Sequence, residues 1–358
     1  MIIAVVLVLI ALVVYLELIW SKRSVGHLRY KSSYDRILAE PEEVITQTTY
    51  VANTWILPMM YVRIFENLPA GIKIEESPEW IAQNTNALLF NMASNFKLYV
   101  LPHGKAKLQM HFSFDKRGEY EQNEYKIEIG DLLGIQSYVK SGQSRERVVI
   151  MPRNTEDPVA LEALGGFLGD LSVRRFIFED PVLTMGFREY TGREPMKSIS
   201  WTKTAQAGQL YVKQYDHTME VKATVVLNTE NGTDSDLEEC FKIVRTVCEK
   251  LEKMHVVYEF FTNGALRGPL GEFKWMEEGL GNNHFRTLMY ALGCAETKSI
   301  GTFADLQARC RKRKKSGTSY ILVTPPLTAQ DQPIVDSFRE MSEHELCILT
   351  GEGREEEK

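Results

Sequence analysis

The chain has 358 residues, of which 44% are hydrophobic and 25% are charged, and its formal net charge is −6 at pH 7. This composition is typical of globular domains and excludes an intrinsically disordered chain or one built mainly of membrane spans. The length predicts about two domains. The net negative charge disfavours nucleic acid as a general partner, because the phosphate backbone would be repelled.

The first twenty residues are almost wholly apolar. Residues 1–16 carry no charged side chain, and Glu17 and Trp20 come near the end of the run. A helix of about 20 residues, rising ~1.5 Å per residue, would just cross a hydrocarbon core of about 30 Å. A cleaved signal peptide is the alternative, but the run lacks a basic start and a small-residue cleavage site. We therefore predict a transmembrane anchor over residues 1–20.

Basic residues follow the apolar run, and no basic side chain precedes it. Lys22 and Arg23 come directly after it, and Arg29 and Lys31 lie in the same predicted juxtamembrane linker, residues 21–47. By the positive-inside rule, these cations predict a single-pass protein of the cell membrane whose other domains face the cytoplasm.

Two further regions differ in the period of their apolar residues. Residues 48–155 consist of short apolar or alternating runs separated by turn formers, which favours an antiparallel β-sandwich or barrel. From residue 215, continuous apolar strands alternate with helical stripes, which favours an α/β domain with a mostly parallel sheet. The predicted divisions are an anchor (1–20), a linker (21–47), a β-sandwich-like domain (48–155), a connecting segment (156–214), an α/β domain (215–350) and a charged tail (351–358).

The connecting segment contains the most distinctive pattern of the chain. It reads F-R-E-Y-T-G-R-E-P from position 187 and I-S-W-T-K-T-A-Q-A-G-Q-L-Y-V-K from position 199. This pattern resembles the signature of a bacterial membrane-protein family, domain of unknown function 58, and weaker similarities extend over most of residues 50–325. Arg193, Lys197 and Gln206 stand where the family has Asp, Arg and Arg. The residues of the motif are Arg188, Glu189, Tyr190, Gly192, Ile199, Trp201, Lys203, Ala205, Gly208, Leu210, Val212 and Lys213.

The resemblance implies a fold class and a role. The implied architecture is an α+β multidomain chain with an N-terminal transmembrane helix, an antiparallel β-sandwich-like domain and a von Willebrand A-like α/β domain. The implied role is a non-catalytic, membrane-anchored adaptor or co-chaperone that works with a MoxR-type AAA ATPase on an unidentified client protein. The alternative is a structural cell-envelope protein without an ATPase partner.

The resemblance also implies where a metal ion would bind. In von Willebrand A domains the first strand leads into D-x-S-x-S, whose oxygen atoms hold a hard divalent cation. Here Asn228 replaces the aspartate, and Glu230 and Gly232 replace the two serines. Because the anionic first ligand is lost, we predict a degenerate site at Asn228 and Glu230, with no bound metal and no cofactor.

Catalytic motifs are missing from the sequence. The chain has no dinucleotide-binding, Walker, zinc-protease or nucleophile-elbow pattern, and its seven histidines show no ligand spacing. We therefore predict that the protein is not an enzyme. The rival interpretation is an active site dispersed over loops.

Two features leave a choice between packing and binding. Trp201 and Tyr190 are either exposed anchors or, as we expect, aromatic residues packed at a domain boundary, with Arg188 and Glu189 left for recognition. The six cations within residues 309–315 are either the solvated end of a helix or a docking patch for an acidic partner or anionic lipid.

Overall fold

The computed structural model describes residues 7, 13–15, 23, 25–75, 85–88, 91–130, 136–177, 180–192, 194–216, 222–269, 271–315, 317–342 and 346–353. The chain forms two compact units, Met1–Arg153 and Asn154–Lys358. Each unit contains its own sheets and its own buried apolar core.

The first unit is built from strands. They are β1 (Leu28–Tyr34), β2 (Leu38–Ala39), β3 (Ile45–Asn53), β4 (Met59–Asn67), β5 (Ile72–Ile74), β6 (Thr85–Leu88), β7 (Asn91–Val100), β8 (Lys105–Phe114), β9 (Gly118–Gly130) and β10 (Ser137–Ile150). One sheet has the order β1-β3-β8-β5, and the other has the order β2-β10-β9-β4-β7-β6. Neighbouring strands are antiparallel except β2 and β10, which are parallel.

Alternating side chains of these strands form the core of the first unit. In β3 every second residue is buried, as expected for a strand whose side chains point to opposite faces. Ile45 and Val51 contribute apolar side chains, and Phe112 and Phe114 of β8 join them. The hydrophobic effect at these positions holds the unit together, because each side chain leaves water completely.

A polar cluster lies inside the same core. Glu66 of β4 is fully buried, and its carboxylate accepts hydrogen bonds from the Tyr30 hydroxyl at 2.7 Å, the Gln47 amide at 2.8 Å and the Thr49 hydroxyl at 2.9 Å. The donors come from β1 and β3, in the sheet that does not contain β4. Desolvation, followed by the nearby Glu66 charge, raises the pKa of Tyr30, so Tyr30 remains a neutral donor. The cluster therefore links the two sheets.

The second unit combines helices with two sheets. Its helices are α1 (Pro158–Ile177), α2 (Trp201–Ala207), α3 (Asp234–Lys253), α4 (Asn282–Gly293), α5 (Phe303–Lys312) and α6 (Gln332–Met341). Its strands are β11 (Asp180–Glu189), β12 (Tyr211–Asp216), β13 (Lys222–Leu227), β14 (Val257–Gly268), β15 (Gly271–Gly279), β16 (Thr318–Thr324) and β17 (Cys347–Thr350). The larger sheet has the order β15-β14-β13-β16-β17, and β11 pairs with β12 in a separate antiparallel sheet. In the larger sheet only the edge pair β14–β15 is antiparallel among the described strands.

Burial explains why these segments fold as they do. All of β16 and nearly all of β13 are buried, which fits strands covered by helices on both faces. Helix α3 begins at Thr233, whose hydroxyl accepts from the Asp236 backbone N–H while the Asp236 carboxylate accepts from Thr233. This capping box satisfies two backbone donors that the first turn would leave unpaired.

The structure corrects the predicted fold class and localisation. The described part of the chain is mixed α/β and rich in strands, with several sheets that are mostly antiparallel. Within the described ranges no helix is long and apolar enough to cross a membrane, so the predicted N-terminal transmembrane helix and single-pass, cytoplasm-facing localisation are not supported. Most of residues 1–20 lie outside the described residues. The physical reason for the error is that hydropathy records how apolar a segment is and does not specify what covers it.

Two segments expected to be connections contain regular structure. The predicted linker, residues 21–47, contains β1 and β2 and the start of β3, and the predicted connecting segment, residues 156–214, begins with the twenty-residue helix α1. Leu28 of β1 is fully buried in the first unit's core.

Candidate protein-interaction site

The segment that resembles the domain of unknown function 58 signature folds as one small structural module. We call residues 186–192 and 194–213 the motif module: the end of β11, a turn, a short 3-10 helix (Met196–Ser198), α2 and the start of β12. β11 and β12 are antiparallel, with Glu189 opposite Tyr211 and Arg188 opposite Val212. The Tyr190 backbone N–H donates to the Leu210 carbonyl at 2.9 Å and extends this pairing.

A carboxylate closes the turn that follows β11. Glu194 accepts hydrogen bonds from the Thr191 backbone N–H at 3.1 Å, the Thr191 hydroxyl at 2.8 Å and the Arg188 guanidinium. Desolvation favours the neutral carboxyl, but these hydrogen bonds outweigh it and lower the pKa of Glu194 to about 2. Gly192 has φ 86°, a left-handed conformation that favours glycine.

Glu194 was not among the residues predicted from the sequence. The resemblance placed the turn's acidic residue at position 193, which is Arg193 here and lies outside the described residues. The available signal was the spacing of Thr191 and Glu194, three residues apart, which is the spacing at which a hydroxyl residue and a carboxylate cap a backbone turn.

Buried residues and a second glycine fix the remainder of the module. Ile199 forms a bridge with Val212, and both side chains are buried. The Ser200 backbone N–H donates to the Tyr211 carbonyl at 2.8 Å. Helix α2 ends at Gly208, whose φ of 72° is left-handed and whose N–H donates to the Thr204 carbonyl at 2.9 Å. Such a C-terminal cap suits glycine, since other residues are strained there.

Large apolar side chains are exposed on this module. The exposed fractions are 44% for Phe187, 67% for Met196, 61% for Trp201 and 42% for Leu210. The prediction that Trp201 is a packed aromatic residue is therefore wrong, whereas Tyr190 is partly buried. Hydrophobicity gave no means of telling these two positions apart, because it does not specify which surface a side chain meets.

The polar residues of the motif are also mostly at the surface. Arg188, Glu189, Lys203 and Lys213 are exposed, and so is Ala205 on α2. Arg188 has an internal partner in Glu194, so its charge is already partly satisfied. The motif thus contains residues that fix the module, such as Ile199, and residues that face solvent.

The predicted degenerate metal site lies at the larger sheet of the second unit. Asn228 follows β13, Asn263 lies in β14 and Thr324 ends β16, and all three are buried. The Asn228 amide oxygen accepts from the Asn263 amide at 2.8 Å and from the Glu230 backbone N–H at 3.1 Å. The Asn228 amide nitrogen donates to the Thr324 hydroxyl at 3.1 Å.

These hydrogen bonds occupy the groups that a cation would need. Hard divalent cations require several converging oxygen atoms. Here the Asn228 and Asn263 side-chain N–H groups already donate to the Thr324 hydroxyl and the Asn228 amide oxygen. Glu230 is also engaged, because its carboxylate accepts from the Phe303 backbone N–H at the start of α5. In the described part of the chain no group of three His, Cys, Asp or Glu side chains is placed to hold a metal ion.

Comparison with known proteins does not show a family for this chain. No protein-family model matches the chain. No curated protein matches it either. The domain of unknown function 58 resemblance therefore stays a prediction.

Several solved structures resemble parts of the chain. The CARDB domain of a Pyrococcus furiosus protein is 8% identical, with 35% of this chain and 90% of that chain covered and a TM-score of 0.21. A PapD-like domain of human CEP192 is 13% identical, with 35% of this chain and 86% of that chain covered and a TM-score of 0.22. The Bacillus subtilis sporulation control protein Spo0M is 14% identical, with 46% of this chain and 58% of that chain covered and a TM-score of 0.20. Similarities this weak carry no argument about fold or function.

Proposed function

We propose that this protein is a non-catalytic adaptor that binds a MoxR-type AAA ATPase through the motif module and brings it to a client protein. The observation that carries the proposal is the exposure of Phe187, Met196, Trp201 and Leu210 on one preorganised module. Burying the exposed parts of these side chains at an interface is favourable by about 25 cal/mol per Å² of apolar surface removed from water. Aromatic residues and methionine are enriched in the centres of protein interfaces.

The helix that carries Trp201 supports this proposal. Helix α2 has seven residues, none of them buried. A helix so short is marginal when isolated, so it owes its conformation to the Gly208 cap and to the Thr204 hydroxyl, which accepts from the Tyr211 N–H at 3.0 Å. A surface helix held in one conformation loses little entropy when a partner packs on it.

The identity of the partner rests on the resemblance. In the family that the motif resembles, members are commonly encoded beside MoxR-type AAA ATPases and are thought to act as adaptors in assembling other complexes. The geometry of the degenerate metal site is compatible with a binding role, since Asn228 and Glu230 are engaged in the protein's own hydrogen bonds.

A binding measurement with purified components tests the proposal. The MoxR-type AAA ATPases encoded in the same genome are immobilised one at a time, and the protein is titrated over them. We expect one of them to bind, and Trp201→Ala to weaken that binding at least about tenfold, as for a central interface tryptophan. The matched control is Tyr99→Ala, since Tyr99 is 67% exposed but lies in the first unit.

Two results would contradict the proposal. If the parent protein binds none of these ATPases, the alternative of a structural protein without an ATPase partner replaces it. If Trp201→Ala and Tyr99→Ala weaken binding equally, the ATPase does not recognise the motif module.

A further inference from the structure

The C-terminal end of α5 carries a concentrated positive charge. Residues 311–315 are all basic and all exposed. Two of them have partners: the Arg313 guanidinium stacks 3.5 Å from the centre of the Trp275 ring, and the Lys315 ammonium pairs with Glu278. We define the basic patch as Arg311, Lys312 and Lys314, whose side chains form neither an ion pair nor a hydrogen bond with any residue that the structure describes.

Contacts on either side of the basic patch hold it in place. On the N-terminal side of the patch in the sequence, the Arg309 guanidinium donates to the Thr262 carbonyl at 2.8 Å. Arg313, between Lys312 and Lys314 in the sequence, is fixed on the Trp275 ring, and Lys315 follows the patch. Hydrogen bonding from Lys315, with a further contribution from Lys222 at 3.0 Å, lowers the pKa of Glu278, so Glu278 stays charged and is shared by two lysines. The backbone of the patch is therefore positioned by its neighbours.

Among the described residues, no carboxylate forms an ion pair with the basic patch. The partial negative charge of a helix C-terminus is equivalent to about half an elementary charge and acts only over the last turn. It offsets a fraction of three neighbouring cations, which repel one another. The chain as a whole carries a net charge of −6, so this local excess of positive charge is opposite in sign to the average surface.

We infer that the basic patch binds an acidic peptide segment of a partner protein. Carboxylates match the guanidinium and ammonium groups in charge and hydrogen bonding. A flat anionic bilayer fits less well, because β15, whose Trp275 and Glu278 contact Arg313 and Lys315, also carries the exposed carboxylates of Glu277 and of Glu272, the latter paired with Lys274. A narrow peptide can bind the basic patch without contacting these carboxylates, whereas a flat membrane surface would lie against them. The net charge also opposes a long polyanion such as a nucleic acid.

The inference does not rest on the proposed function, because the basic patch and the motif module share no residue. A fluorescently labelled octaglutamate peptide is the probe, and its anisotropy is measured as the full-length protein is added. We expect binding that weakens as salt rises from about 50 to about 300 mM, as for exposed charges. The combined variant Arg311→Glu, Lys312→Glu and Lys314→Glu should weaken binding by more than about tenfold.

A second triple variant separates the patch from general electrostatics. Lys97→Glu, Lys105→Glu and Lys107→Glu make the same change in net charge at exposed positions of the first unit. Binding by this control should change by less than about twofold. If the patch variant misfolds by circular dichroism, the milder set Arg311→Gln, Lys312→Gln and Lys314→Gln replaces it.

Several outcomes would overturn the inference. One is the absence of peptide binding by the parent protein at low salt, and another is equal weakening by the two triple variants. A third is tighter binding to anionic phospholipid vesicles or to an oligonucleotide than to the peptide, with that binding lost in the patch variant. The third result would assign the basic patch to a lipid or a nucleic acid.

Discussion

Ile199 and Trp201 lie two residues apart but meet opposite environments. Ile199 is 4% exposed and bridges Val212, whereas Trp201 is 61% exposed at the start of α2. Both positions belong to the motif on which the predicted family resemblance rests. The first has a clear role within the fold, because it secures the motif module. The second has no such role, which is why we place recognition there.

The contrast between these two residues predicts opposite effects on stability. Ile199→Ala should lower the free energy of unfolding by about 2–5 kcal/mol, because it leaves a cavity in a packed site. Trp201→Ala should change it by no more than about 0.5 kcal/mol, as for most surface substitutions. Urea denaturation of the two variants measures both values. A loss of several kcal/mol in Trp201→Ala would show that the tryptophan is packed.

Two glycine substitutions should change the stability of the protein in opposite directions. Gly208 caps α2 with φ 72°, so Gly208→Ala should cost about 1–2 kcal/mol. Gly166 lies in α1, where a methyl group would meet no side chain and no other segment of the chain, so Gly166→Ala should stabilise the protein by up to about 1 kcal/mol. Thermal unfolding compares them directly. Equal effects from the two variants would contradict the left-handed cap.

The core of the second unit could be predicted from the sequence. The apolar runs that form β13 and β16 are buried, as their composition indicates. The same reasoning missed α1, because Gly165, Gly166 and Gly169 lower its helical propensity and its apolar residues form no clear stripe. Local sequence patterns thus identify strands that are buried along their whole length. They fail for a helix whose packing compensates for low helical propensity.

The acidity of Glu194 predicts a pH dependence. Its pKa is lowered to about 2 in the folded protein, whereas an unfolded glutamate titrates at about 4.3. Its stabilising contribution is therefore present above about pH 4.3 and is lost as the pH falls towards 2. Glu194→Gln should be less stable than the parent at pH 7, and the difference should shrink below about pH 4.

Glu189→Gln provides the control for this pH dependence. Glu189 is an exposed carboxylate of the same module, and its replacement should leave the pH dependence of the parent unchanged. The interpretation fails if the difference between parent and Glu194→Gln stays constant from pH 7 to pH 3.

Glu230 should act as a helix cap and not as a metal ligand. Glu230→Ala removes the acceptor of the Phe303 N–H at the start of α5 and should cost about 0.5–2 kcal/mol. Added Mg²⁺ or Mn²⁺ should change the melting temperature of neither protein, and calorimetric titration should detect no binding tighter than about millimolar. A rise in the melting temperature with Mg²⁺ that Glu230→Ala abolishes would identify a metal site.

The candidate site was predictable only in part. The spacing of the motif identified residues 188–213 as distinctive, and Gly192 and Gly208 adopt the left-handed conformations that isolated glycines often mark. The exposure of Trp201 could not be predicted, because transfer from water favours burial of tryptophan wherever a surface is available. Which surface covers it depends on tertiary structure and, in our proposal, on a second protein.

Site-specific photo-crosslinking tests the central claim most directly. A benzoyl-phenylalanine residue replaces Trp201 in one variant and Tyr99 in another, and each is irradiated with the purified MoxR-type AAA ATPase that binds the parent. We expect a covalent product with the ATPase from position 201 and none from position 99. A product from position 99 alone, or from neither position while the ATPase remains bound, would contradict recognition through the motif module.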